Sequence, residues 1–279
     1  MAGRAPLTGT TATDRPGLEL SAGTVRLRVS AEAGGRICSL VVDDRELLVT
    51  SGIDAIHWGS YPMAPFAGRV RDGRFAFRGR QYELPRTMPP HAIHGVVFDR
   101  PWDVVDACTL AIELADPWPF AGRVVQRFAL EPDGLDVTME LSADEPMPAA
   151  LGWHPWFRRR LGGPDAAPVE LRLDAAHMLP RDPDGIAGRE LVEPTPGPWD
   201  DCFTDLRQPP RLVWPGVLAL EITSSGDYWV VFNEQPDAVC VEPQTEPPNE
   251  LNHRPHVIEP GDPLVAEMHW RWWRPEARG

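Results

Sequence analysis

Apolar and polar residues alternate with a period of two along much of this chain, the pattern of strands that bury one face. In residues 24–30, Val25, Leu27 and Val29 alternate with Arg26, Arg28 and Ser30. Residues 74–84 read as a hairpin, with Phe75 and Phe77 before a turn at Gly79 and Tyr82 and Leu84 after it. Residues 124–130 and 135–141 flank Glu131-Pro132-Asp133-Gly134, a strong turn sequence. Residues 218–223 and 228–232 flank Ser224-Ser225-Gly226-Asp227 and read as another hairpin; 238–242 and 264–273 complete the set. No long stretch repeats at a helical period, and 32 Pro with 24 Gly interrupt the chain too often for a helical protein. The pattern predicts one all-β domain over residues 19–279, a large antiparallel β-sandwich, preceded by a loose tail or edge segment over 1–18. The Pro-rich stretch 180–198 reads as a long loop at a sheet rim, where functional residues gather.

Composition narrows the partners. With 279 residues, 42% of them hydrophobic, the chain can bury a large core. Its formal net charge of −14 argues against a nucleic-acid or anionic-membrane partner. All 27 basic residues are arginine, so Schiff-base chemistry on lysine, pyridoxal phosphate attachment included, is impossible. Cys38, Cys108, Cys202 and Cys240 are scattered without a CxxC pair, which favours reduced thiols over a disulfide framework. No apolar leader segment stands in residues 1–24 and no run is long enough to cross a bilayer. The expectation is a soluble cytoplasmic protein, monomeric or homodimeric.

Three segments carry the candidate chemistry: Ala92-Ile93-His94-Gly95, Gly152-Trp153-His154-Pro155-Trp156-Phe157 and Cys240-Val241-Glu242-Pro243-Gln244-Thr245. Each sets a titratable side chain beside Gly, Pro or a large aromatic, a setting suited to a polar group in an aromatic-walled cavity. Two imidazoles and a carboxyl group suffice to move protons near neutral pH, because His titrates there unperturbed and burial raises a Glu toward it. Neither a metal nor a nucleophile is needed.

Further motifs give these segments a context. Pro65-Phe66-Ala67-Gly68-Arg69-Val70 precedes Asp72-Gly73-Arg74-Phe75 and Gly79-Arg80-Gln81-Tyr82-Glu83-Leu84; Trp199-Asp200-Asp201-Cys202-Phe203 and Pro248-Asn249 follow later. In order and spacing, the set resembles the aldose 1-epimerase (galactose mutarotase-like) family over most of the chain, from about Pro62 onward. The resemblance implies a galactose mutarotase-like supersandwich that interconverts the α and β anomers of a free aldohexose, without a cofactor. It implies Glu242 as catalytic base, His154 as catalytic acid and His94 as a hydrogen-bond donor to the developing charge. Arg69 and Asp200 would hold sugar hydroxyls, with Asp201 an alternative to Asp200. Trp153 and Gln244 would complete the substrate pocket, with Trp156 and Phe157 as further walls. The base and acid would work from opposite sides of the ring. The family's usual His-Gly-Gly is His94-Gly95-Val96 here, a departure that bears on sugar preference. Within the family the alternative is a hexose-6-phosphate 1-epimerase, with Arg71, Arg74 and Arg86 as the arginines nearest the right segments. Outside it, the alternative is a non-catalytic carbohydrate-binding protein.

Blander readings compete at each position. Taken alone, His94 before a glycine is a turn histidine, and Asp200 and Asp201 cap a turn. Alternation along 238–242 predicts an outward, solvated Glu242. The pairs His91/His94 and His253/His256 have spacings a metal could use, but both lie in proline-bounded loops and the His-x-His of a cupin is absent, so no metal site is expected.

Overall fold

The computed structural model describes residues 17–275. Most of the expected tail over 1–18 therefore lies outside the described residues, and Leu18–Ala22 is a strand at one edge of the main sheet. Among the described residues there is no α-helix, only two single 3₁₀ turns at Arg71–Gly73 and Glu250–Asn252. The described residues form no helix long and apolar enough to cross a membrane.

Among the described residues, sixteen strands join one antiparallel sheet, as the alternating pattern predicts: fourteen follow one order, Arg45–Glu46 pairs beside Arg36–Val42, and Glu170–Leu179 pairs beside Asp200–Trp214. From its first edge the order is Leu18–Ala22, Val25–Ser30, Arg36–Val42, Ser60–Met63, Gly152–Arg158, Ala238–Gln244 and Tyr228–Phe232. It continues through Asp200–Trp214, Leu218–Ser224, Leu264–Trp273, Gly134–Ala143, Gly122–Glu131, Thr109–Leu114 and Asp103–Asp106. This sheet doubles back on itself. Trp153 donates its indole N–H to Gln126 Oε1 at 3.1 Å, and the Gln126 amide donates to Gly35 O at 3.0 Å. The strands holding Trp153 and Gln126 stand seven places apart in the order, roughly 33 Å in a flat sheet. Only a sandwich brings them within hydrogen-bond reach, and the Phe157 and Trp270 rings likewise meet across the core at 5.0 Å.

The long strand Asp200–Trp214 carries the sheet around the bend. Its first half pairs with Tyr228–Phe232 and its second half with Leu218–Ser224, with Pro209-Pro210 between. This corrects the sequence reading at one point: residues 218–223 and 228–232 are both strands, but they do not form a hairpin with each other. Both instead add to the same long strand, because Ser225-Gly226-Asp227 crosses from one half of the sheet to the other. The expected hairpins at Arg74–Phe77 with Arg80–Glu83, and at Gly122–Glu131 with Gly134–Ala143, are present.

Burial distinguishes ordinary strands from those that build the site. Val25–Ser30 and Leu264–Trp273 bury every second residue, the pattern of one wet face. Ser60–Met63 and Ala238–Gln244 are buried throughout, and Gly152–Arg158 at all but its last residue. Their second face is covered by loops that carry Ile56, His57, Gly68, Gly185 and Ala187 and by a short ribbon that carries Arg69, and a cleft opens between this cover and the sheet.

Candidate active site

Register alone brings the acid–base residues together. Gly152–Arg158 pairs with Ala238–Gln244 so that Gly152 faces Gln244 and Trp156 faces Cys240, which sets His154 opposite Glu242. On the other side His154 pairs with Tyr61, and Glu242 with Val230. Directly opposed residues on one face of a sheet touch, and here His154 Nε2 meets Glu242 Oε1 at 3.1 Å. The Tyr61 ring stacks on His154 at 4.9 Å, and Trp156 lies nearly parallel to His154 at 5.2 Å and 10°.

His94 reaches the same point from above the sheet. A two-stranded ribbon, Arg69–Val70 with Ala92–Ile93, delivers Arg69 and His94 side by side. His94 is left-handed at φ 61°, and its N–H donates to Gly68 O at 3.0 Å. The bend aims its ring edge-on at His154, with centroids 4.9 Å apart. Gly95 follows at φ 82°, where an added Cβ would stand 2.0 Å from Ala64 O. That is the physical content of the His-Gly pair: the chain turns sharply against its neighbour, and only glycine fits.

All three groups are buried, with Glu242 1%, His154 4% and His94 6% exposed. Burial pushes the Glu242 carboxyl well above its ordinary range, and Asp200 adds to the push while Arg69 and Gln244 oppose it. Burial likewise lowers His154 to about 3, with the nearby His57 as the next cause, and depresses His94, to which the charge of His154 contributes. Both partners of the 3.1 Å contact are thus pushed toward their neutral forms. In those forms the pair carries one exchangeable proton, on Glu242, and a shift across the contact would make it carboxylate and imidazolium.

Asp200 Oδ2 accepts from Arg181 Nη1 at 2.6 Å and lies 3.5 Å from Arg69 Nη2. Arg69 Nη1 donates to Gly185 O at 3.2 Å. Asp201 instead meets the Arg181 N–H and Nε at 3.3 and 3.4 Å, so Asp200 is the carboxylate shared by both arginines. Gln244 lines the cleft beside Glu242. Trp153 does not. Alternation turns Trp153 and Phe157 into the sandwich interior, where Trp153 is bonded to Gln126; Trp156 is the aromatic of that segment on the cleft. The expectation that Trp153 and Phe157 wall the pocket is corrected by the two-residue period of the strand.

The expected solvated Glu242 is reversed for a related reason. Its outward face is real, but the loops roof that face, so outward means into the cleft. His91 is structural: its Nδ1 accepts from the Asp72 N–H at 3.0 Å and its Nε2 meets Asp184 O at 3.1 Å. Sequence reading missed Arg181, His57 and Phe232, which also line the cleft. The signal for Arg181 was its place in the Pro-rich 180–198 loop, which does fold over the sheet. Among the described residues, His154, Cys240 and Glu242 bring a nitrogen, a sulfur and an oxygen within 4.8 Å of one another. Burial raises the Cys240 thiol well above its ordinary value, so a cation there would have to displace tightly held protons.

The cleft has a cavity volume of about 120 Å³, below the roughly 300–1,000 Å³ of typical small-molecule sites, and opens to solvent at its mouth, where a ligand would extend. Comparison with known proteins gives the geometry a lineage. An Escherichia coli K12 protein named YphB, itself uncharacterised, is 27% identical over 291 residues, covering 90% of this chain and 97% of its own. Among solved structures, the GalM/aldose epimerase homologue of C. elegans aligns with a TM-score of 0.78 at 18% identity, covering 93% of this chain and 99% of that one. The galactose 1-epimerase of Lactobacillus acidophilus NCFM aligns with a TM-score of 0.76 at 16% identity, covering 96% and 99%. These structures share the fold. The sequence profile of aldose 1-epimerases matches residues 18–213, well over half the chain. On that match, this chain belongs to the aldose 1-epimerase family.

Proposed function

We propose that this protein interconverts the anomers of a free aldohexose by acid–base opening and reclosure of the ring. One observation carries the reading: His154 and Glu242 face each other at 3.1 Å in the floor of the cleft, close enough to pass a proton. With the proton on His154, the Glu242 carboxylate takes the hydrogen of the anomeric hydroxyl. The C1–O1 bond becomes a carbonyl as the bond from C1 to the ring oxygen breaks, and the His154 imidazolium protonates that oxygen. After rotation about C1–C2, Glu242 returns its proton to the carbonyl oxygen and His154 takes the hydrogen back as the ring recloses on the other face. The pair ends as it began, so no outside proton is consumed.

Acid and base are neighbours rather than on opposite sides of the ring. That suits the chemistry, because the two oxygens they serve are bonded to the same carbon. Each positioned proton transfer is worth ~10²–10⁴ in rate. His94, set at right angles to His154, is within reach of the same oxygens, and Arg69 with Asp200 offers hydroxyls both donors and acceptors.

An uncharged sugar is favoured over a hexose 6-phosphate by the charge balance of the cleft. Arg69 and Arg181 share Asp200; Arg181 also approaches Asp201 and Glu234. Arg71 pairs with Asp182 and Asp184, Arg74 with Glu83, and Arg86 spends its Nε on Asp72 O. Among the described residues, each of these arginines already has a partner, Arg86 through its Nε alone. Polarimetry on freshly dissolved α-glucose and α-galactose tests the proposal: the protein should hasten equilibration beyond buffer. Saturation-transfer NMR over free and phosphorylated sugars tests the choice of substrate. Binding without catalysis across that panel would make the protein a carbohydrate binder.

A further inference from the structure

A third histidine stands at the cleft that the reaction above does not use. His57 sits on the loop joining Arg45–Glu46 to Ser60–Met63, 35% exposed in its side chain, and lines the pocket with Ile56. Asp54 Oδ1 accepts from the Ile56 N–H at 2.8 Å and the His57 N–H at 3.1 Å, and meets His57 Nδ1 at 2.7 Å. Although burial works against it, these hydrogen bonds hold the Asp54 carboxyl below its ordinary range. An ionised Asp54 keeps the hydrogen on Nδ1, so Nε2 is the atom left for a ligand.

The loop is fixed in place. The buried Arg36 guanidinium donates to Trp58 O at 2.9 Å, Ala55 O at 2.7 Å and Phe98 O at 2.9 Å, and its Nε to Ala33 O at 2.6 Å. Two of those carbonyls flank His57 in sequence. The His57 ring then rests against Trp156 at 5.3 Å and 53°, and Trp156 lies on His154. An anchored carboxylate, a fixed tautomer and a packed ring are what a binding group needs to be held before its ligand arrives.

We propose that His57, oriented by Asp54, is a substrate-binding residue that hydrogen-bonds a hydroxyl of the bound sugar and sets affinity rather than the rate of ring opening. It rests on the epimerase reading. The sugar then meets Arg69 and Asp200 on one flank and His57 with Ile56 on another, with the acid–base pair at the floor. The ligand class is an uncharged polyhydroxylated ring, because a neutral imidazole Nε2 accepts from a hydroxyl and a protonated one donates to it.

His57→Phe keeps a ring against Trp156 and removes the nitrogen; His57→Gln returns a polar group near the position of Nε2. The phenylalanine variant should raise KM about tenfold, with kcat within about twofold and the melting temperature essentially unchanged. The glutamine variant should recover much of that loss, and Asp54→Asn should fall between. Wild-type KM in His57→Phe would overturn the proposal, as would a glutamine variant no better than phenylalanine, or a fall confined to kcat. Should the wild type bind sugars without opening them, Kd from saturation-transfer NMR replaces KM and the same comparisons decide. A wild type that binds none of the sugars overturns this proposal together with the epimerase reading.

Discussion

Replacing Glu242 with Gln separates the proton held by the proposed acid–base pair from everything else in the protein. In the folded state the pair binds one proton over a wide pH range, since burial raises Glu242 far above its ordinary 4.5 and lowers His154 from 6.5 to about 3. Unfolded, Glu242 is ionised above 4.5 and His154 loses its proton above 6.5. Between those values both states hold one proton, so the pair gives no slope of stability with pH. Above 6.5 the folded pair keeps a proton that the unfolded chain has lost. Stability then falls by about 1.4 kcal/mol per pH unit until Glu242 ionises in the fold.

Glu242→Gln resembles the protonated carboxyl in shape and still offers His154 a donor. Its pair contribution should be flat above pH 6.5. Below 6.5 the variant should lose stability as the pH falls, because His154, held neutral by burial, is protonated only on unfolding. The difference between variant and wild type therefore rises with pH at about 1.4 kcal/mol per unit, while every other titrating group cancels. Urea denaturation of both proteins between pH 5 and 8 measures it, and ¹⁵N shifts of the His154 ring report which partner carries the proton. Epimerase activity should drop ~10²–10⁴-fold, the worth of one positioned proton transfer. Parallel stability profiles would refute the shared-proton account, and an active variant would refute Glu242 as base.

Trp153→Phe should cost roughly 1–3 kcal/mol, because Gln126 Oε1 loses its donor in the dry interior, and should leave KM unchanged; denaturation and steady-state kinetics check the split. Trp156→Ala should do the reverse in kinetics, raising KM, since Trp156 is the ring on the cleft. Gly95→Ala should lower stability by roughly 1–3 kcal/mol or abolish folding, given the 2.0 Å approach to Ala64 O and φ of 82°; a thermal melt decides. Asp200→Asn should weaken sugar binding by loosening Arg69 and Arg181, seen as a rise in KM larger than any fall in kcat.

The period-two pattern, the Pro and Gly punctuation and the lack of lysine were enough to fix the class of fold and to rule out lysine chemistry, because each is a local property of the chain. His94, His154, Glu242, Arg69 and Asp200 could be named from motif order, and alternation within 152–158 already implied that Trp153 and Trp156 point to opposite faces. What alternation left undecided was which face is the cleft: a strand buried on one side and roofed on the other has no wet face for the pattern to display. Pairing in space settled that, by setting His154 opposite Glu242 across a register no local rule encodes. It also settled the fate of 218–232, where two strands that look like a hairpin instead join one long strand, because sheet partners are chosen by burial over the whole sandwich. The push of His154 and Glu242 toward their neutral forms belongs to the tertiary structure for the same reason: it comes from desolvation, and residues far apart along the chain exclude the water together.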